Sequence, residues 1–66
     1  MTADDFREAL DGLLLTQLAF ARAIDVAERT VRRWATGEQP VPRSVALLLA
    51  LMRRYGLDLA DLEALG

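Results

Sequence analysis

Residues 16–37 read TQLAFARAIDVAERTVRRWATG, and this stretch decides the fold. It holds two apolar patterns of helical period separated by a short polar break. Thr16 is a good N-cap. Behind it Leu18, Ala21 and Ile24 recur as inward positions with Phe20 alongside, which predicts a helix from Gln17 to about Ile24. The turn Asp25-Val26-Ala27 follows. A second helix is expected from Glu28 to about Thr36, and Gly37 suits the left-handed residue just past its end. At 100° per residue, Ala27, Val31, Trp34 and Ala35 gather on one side of this helix. Glu28, Arg29, Arg32, Arg33 and Thr36 gather on the other. The apolar side anchors the helix to a core, with Trp34 as its largest member. The polar side is narrow and carries three Arg and no large apolar residue.

Working outward, a helix is expected before this stretch and two after it. Thr2 can cap a first helix, Ala3 to Leu13, with Asp5 completing a capping-box pattern. Phe6, Ala9, Leu10 and Leu13 make its apolar face. Beyond Gly37, the loop Glu38-Gln39-Pro40-Val41-Pro42 is stiffened by its prolines and starts a fourth helix near Pro42 or Ser44. That helix runs to about Tyr55, and Gly56 ends it. Arg53 and Arg54 in its last turn complement the helix dipole. Asp58 can cap a short fifth helix, Leu59 to Leu65. The expected fold is an all-α, compact bundle of about five short helices.

Bulk properties narrow the function classes. A chain of 66 residues is enough for one domain, 1–66. A domain this small is marginal alone, and the common remedies are disulfides, a metal or oligomerisation. With no Cys and no His, disulfides, thiolate or zinc sites and His-based acid–base chemistry are excluded, so oligomerisation is the remedy left open. The longest apolar run, Val45 to Met52, is far short of the ~20 residues that span a bilayer. The acidic start MTADDFRE resembles neither a signal nor a transit peptide, so a cytoplasmic protein is expected. The hydroxyls of Thr2, Thr16, Thr30, Thr36, Ser44 and Tyr55 have no His partner, so no nucleophile–base pair can be built and no enzyme is expected. Asp4, Asp5, Glu8 and Asp11 read as a solvated helix face, since hard cations want about six or more oxygens from a closed loop. No cofactor is expected.

The net charge of −2 argues mildly against a nucleic-acid partner, but its distribution argues the other way. Residues 22–54 hold seven Arg against Asp25, Glu28 and Glu38, a local balance of +4, while both ends are acidic. A helix offering the polar face described above has the width to enter the major groove of double-stranded DNA. There Arg can contact guanine bidentately and Glu28 can accept from a cytosine amine. In the first turn, Glu28 also favours the helix dipole. The plain alternative for Arg29, Arg32 and Arg33 is a solvated helix face, and for Arg43 an ordinary helix-start residue.

The run LTQLAFARAIDVAERTVRRWATG resembles the helix-turn-helix of phage repressors of the lambda-repressor and Cro type. Gln17 opens the second helix. Ala21 is the small residue where the two helices cross, and Phe20, Ile24, Val26, Val31 and Trp34 take the apolar positions. The likeness continues through Pro40-Val41-Pro42 and the fourth helix and covers about residues 2–56. It is nearest to the short single-domain regulators of bacteria, their phages and mobile elements, a group that includes anti-CRISPR-associated repressors. Two positions depart from the pattern. Asp25 and Leu14 stand where Gly is usual, and Asp tolerates a left-handed backbone better than most residues.

The resemblance implies a helix-turn-helix proper at 16–37, with Ala27, Glu28, Arg29 and Arg33 nearest the base edges and Arg32 facing a base or phosphate. It implies phosphate contacts from Gln17, Thr36 and Arg43. Helices four and five, 43–65, are expected to form a twofold dimer interface through Leu51, Leu57, Leu59, Leu62 and Leu65. A helix apolar on every side, like Val45–Met52, must be covered on every side. The alternative is that helix five folds back over helix four. The expected function is a homodimeric transcriptional repressor, one that controls its own operon, binding an inverted repeat. The rival expectation is an antitoxin or interaction module that binds a partner protein through the Leu-rich helices.

Overall fold

Thr2 opens the first helix. Its hydroxyl accepts from the Asp5 amide at 3.0 Å, and the Asp5 carboxylate accepts from the Thr2 amide at 3.3 Å, a closed capping box. In the computed structural model, which describes residues 1–65, the chain forms α1 (Ala3–Gly12), α2 (Gln17–Ala23), α3 (Glu28–Thr36), α4 (Arg43–Tyr55) and α5 (Leu59–Leu65). No strand occurs among the described residues. Thr16 caps α2 by accepting from the Ala19 amide at 3.0 Å. Asp58 and Asp61 repeat the reciprocal arrangement ahead of α5, at 3.0 and 2.9 Å.

One device closes three of the helices. Leu14, Asp25 and Gly56 adopt left-handed backbones with φ of 58°, 57° and 64°. The next residue then reaches back into the helix, from the Leu15 amide to the Leu10 carbonyl, from Val26 to Ala21 and from Leu57 to Met52, each at 2.9 Å. These closures satisfy carbonyls that the helix itself leaves without donors. They also end α1 at Gly12 and α2 at Ala23, one residue before the expected Leu13 and Ile24.

Leu14 carries this conformation at a cost, because its Cβ crowds the backbone there, and its side chain is 93% exposed and packs on nothing. Leu14→Gly should therefore stabilise the domain by about 0.5–1 kcal/mol, the strain released less the extra freedom of Gly in the unfolded chain. A thermal melt should show a rise of roughly 2–8 °C. An unchanged or lower melting temperature would contradict the strain.

α3 packs against α1 and α2, α4 against α1, and α5 against α2. Phe6 lies at the centre. Its ring meets Phe20 at 6.0 Å and Trp34 at 5.9 Å between centroids, both edge to face. Ala9, Ala21, Val31, Ala35, Leu49 and Met52 fill the space around these rings, and among the described residues no polar or charged side chain is buried.

One expectation needs correction. Leu18 does not point inward; it is 40% exposed. The fully buried Phe20, with Ala21 and Ile24, sets the phase of α2, and Leu18 lies roughly 110° round the helix from their mean direction. Within one copy of the chain, α4 is not covered on every side. Val45, Leu49 and Met52, at i, i+4 and i+7, are buried and Leu48 is half-buried, but Leu47 and Leu51 stay half exposed. α5 packs chiefly against α2, not over α4, with Leu62 on the core, and Leu57 just ahead of it packs there too.

Candidate nucleic-acid interface

The geometry begins at the turn between α2 and α3. Asp25 supplies the left-handed residue, and Ala21, 1% exposed, lets the two helices approach. Ala27 then turns the chain into α3 with an extended backbone and no side-chain cap. Val31, Trp34 and Ala35 fix the rotation of α3, because all three are buried. With that side committed, Arg29, Arg32 and Thr36 are exposed and Glu28 and Arg33 are half-buried at the edge. Six of the expected contact residues, Ala27, Glu28, Arg29, Arg32, Arg33 and Thr36, thus lie on α3 or its cap. Gln17 and Arg43 stand on other elements, as the first residues of α2 and α4. Gln17 is half-buried at the rim of a groove lined by Arg7, Leu10, Asp11, Leu15 and Thr16, and Arg43 is exposed.

Two of the three arginines on α3 have carboxylate partners. Arg32 donates to Glu28 at 2.8 Å, and Arg33 faces Glu38 at 3.8 Å. All four side chains are 42–67% exposed. Exposed pairs of this kind are worth about 0–1 kcal/mol. A phosphate or a guanine edge, giving about 1–3 kcal/mol for a bidentate contact, can displace them. Arg29 makes no ion pair among the described residues. The three arginines crowd at i, i+3 and i+4, and like charges at such spacing cost a helix about 0.2–0.5 kcal/mol per pair. The face is thus charged, exposed and exchangeable. The Thr36 hydroxyl donates back to the Arg33 carbonyl at 3.2 Å.

No protein-family model, curated protein or solved structure matches this chain.

What the site can do follows from its own residues. Among the described residues no group of His, Cys, Asp or Glu could hold a metal ion, and no helix is long and apolar enough to cross a membrane. The five leucines expected at a dimer interface divide into two sets. Leu51 and Leu65 are 50% and 83% exposed. Leu57 and Leu62 are half-buried against the core, and Leu59 is half-buried. The structure adds two residues to the outward set, Leu47 and Tyr55, which fall with Leu51 at i, i+4 and i+8 and make one apolar stripe along α4. Their spacing was visible in the sequence, but the all-apolar run around them hid which side would be covered. Arg7 was also missed. Its guanidinium donates to the Ala35 carbonyl on α3, across 28 positions of sequence, and no local pattern signals that contact.

Proposed function

We propose that this chain is a sequence-specific DNA-binding transcriptional regulator, a homodimeric cytoplasmic repressor of helix-turn-helix type that sets α3 into the major groove of an inverted-repeat operator. The observation that carries the reading is the division of α3. Val31, Trp34 and Ala35 hold one side in the core, and Arg29, Arg32 and Arg33 stand on the other with nothing large and apolar between them. Ala27, Glu28, Arg29, Arg32 and Arg33 read base edges. Gln17, Thr36 and Arg43 take phosphates and set the register. One such helix covers a few base pairs, and the acidic ends weaken long-range attraction, so tight binding needs two copies. The apolar stripe of α4 supplies a place to join them, with Leu51 at its middle; exposed Leu65 and the outer edges of half-buried Leu57, Leu59 and Leu62 are the remaining apolar contacts of the proposed interface. Its operator, in this reading, lies upstream of its own gene, so that it regulates its own operon.

The test is a titration of the full chain against duplex from the region upstream of its own gene, with operators also selected from random duplexes. A dimer of this motif holds its reading helices about 34 Å apart, so the selected sites should be inverted repeats with centres ~10–11 base pairs apart or a whole turn further. Leu51→Asp should leave the fold intact, because Leu51 is half exposed, yet give a monomer by light scattering and lose operator binding. Leu62 is a poorer probe, since it packs on the core. A wild-type monomer that binds one half-site tightly would contradict the dimer. No selected site at all would contradict DNA binding. The same exposed Leu47, Leu51 and Tyr55 favour a second reading, an antitoxin or interaction module whose α4 binds a partner protein. Co-purification of a stoichiometric second protein from the native host would favour it.

A further inference from the structure

α1 reaches the end of α3 along one face. Ala3, Phe6 and Arg7 fall at i, i+3 and i+4. The Ala3 Cβ stands 3.7 Å from where a Cβ at Gly37 would lie, and Phe6 meets Trp34 edge to face. The Arg7 guanidinium donates from one nitrogen to the Ala35 carbonyl and from another to the Asp4 carboxylate. Ala35 lies in the last turn of α3, where carbonyls have no donor within the helix and the dipole end is negative. A cation from a different helix therefore satisfies this end of α3. Arg7 is the one base among the four acids of residues 1–12, and Asp4, a turn earlier, holds its guanidinium. The exposed Asp4 pair alone would do little. The bond to α3 is what sets Arg7 apart.

From this we infer that Arg7 is a positioning residue, which clamps the C-terminal end of α3 and so sets the angle at which Arg29, Arg32 and Arg33 are presented. Its effect on recognition rests on the DNA-binding reading above; the clamp itself does not. Val31, Trp34 and Ala35 hold α3 by apolar packing, which sets its rotation, and the Arg7 bond adds a directional polar tie at its end. α3 is about 14 Å long, so a tilt of roughly 5° moves a guanidinium ~10 Å from the pivot by about 1 Å, enough to break a bidentate contact.

Arg7→Met keeps the aliphatic stem and removes the donors, and Arg7→Lys keeps the charge and one donor. In the free protein, amide exchange measured by NMR should quicken about fivefold or more at Thr36 and Gln39 in Arg7→Met, while Leu49 in α4 stays unchanged. Affinity for the selected operator should fall about tenfold, with random duplex of equal length within twofold. Lys should be intermediate in both readouts, and it carries the comparison alone should Arg7→Met fail to fold. Equal losses on both duplexes would make Arg7 a plain phosphate contact and overturn the assignment. So would quickened exchange with discrimination intact, or lost discrimination with exchange intact. If the wild type binds no DNA, the proposed function fails while exchange still decides the clamp: quickening at Thr36 and Gln39 supports it, and unchanged exchange overturns it.

Discussion

Trp34→Ala should cost about 3–5 kcal/mol, a large share of the stability of a domain this small. The magnitude follows from the loss of a buried aromatic with incomplete closure of the space it leaves. Trp34 is 5% exposed and meets Phe6 edge to face, and Phe6 in turn meets Phe20, so one truncation removes an end of the aromatic chain that joins α1, α2 and α3. Marginal stability of about 0.05–0.15 kcal/mol per residue gives a domain of this size roughly 3–10 kcal/mol in all. The substitution therefore removes a large share of it. Circular dichroism should show the melting temperature lowered by roughly 15–30 °C, or no cooperative transition. Trp34→Phe, which keeps an aromatic ring against Phe6, should lose much less. A near-native melt for Trp34→Ala would mean that the rotation assigned to α3 is wrong. The arginines would then not share one outward face, and the proposed interface would fall with the core.

How far such reasoning could be carried from the sequence differs along the chain. α3 was legible to the residue, because its apolar and charged positions separate cleanly at 100° per residue and Gly37 stops it at a left-handed φ of 85°. The caps Thr2, Thr16 and Asp58 were legible for the same local reason. The phase of α2 was not. Leu18, Phe20, Ala21 and Ile24 are all apolar, and which of them faces inward depends on where Phe6 and Trp34 stand, a tertiary matter. α4 had no phase to read at all, since Val45–Met52 is unbroken and only contact with α1 decides that Val45, Leu49 and Met52 go in while Leu47 and Leu51 stay out. For the candidate site, the residues on α3 were legible as a group, since one helix carries them. Their ion pairs were partly so: Glu28 to Arg32 is an i, i+4 pair, while Glu38 reaches Arg33 only through the loop after Gly37. The bond from Arg7 to Ala35 belongs to topology and has no signature in the local sequence.

Arg33→Ala should abolish sequence-specific binding while the fold survives. Arg33 is half-buried at the edge of α3, and its ion pair to Glu38 at 3.8 Å is exposed and weak, so truncation should move the melting temperature little. A bidentate Arg–guanine contact contributes about 1–3 kcal/mol of discrimination per subunit. Two subunits double it, which puts the loss of operator affinity at ~30-fold or more. Random duplex sees only one cation fewer per subunit and should lose far less. Arg43→Ala is the natural control, because an exposed cation at the first residue of α4 that grips phosphate acts alike on every sequence. It should weaken operator and random duplex together and flatten the salt dependence by about one for each phosphate no longer neutralised. A titration of both variants against both duplexes separates the roles. If Arg33→Ala lowers the two affinities in parallel, Arg33 is a phosphate contact and base reading passes to Arg29 and Glu28. If it changes neither, α3 is not the reading helix. The exposed stripe of Leu47, Leu51 and Tyr55, with a protein partner, then becomes the better account of this chain.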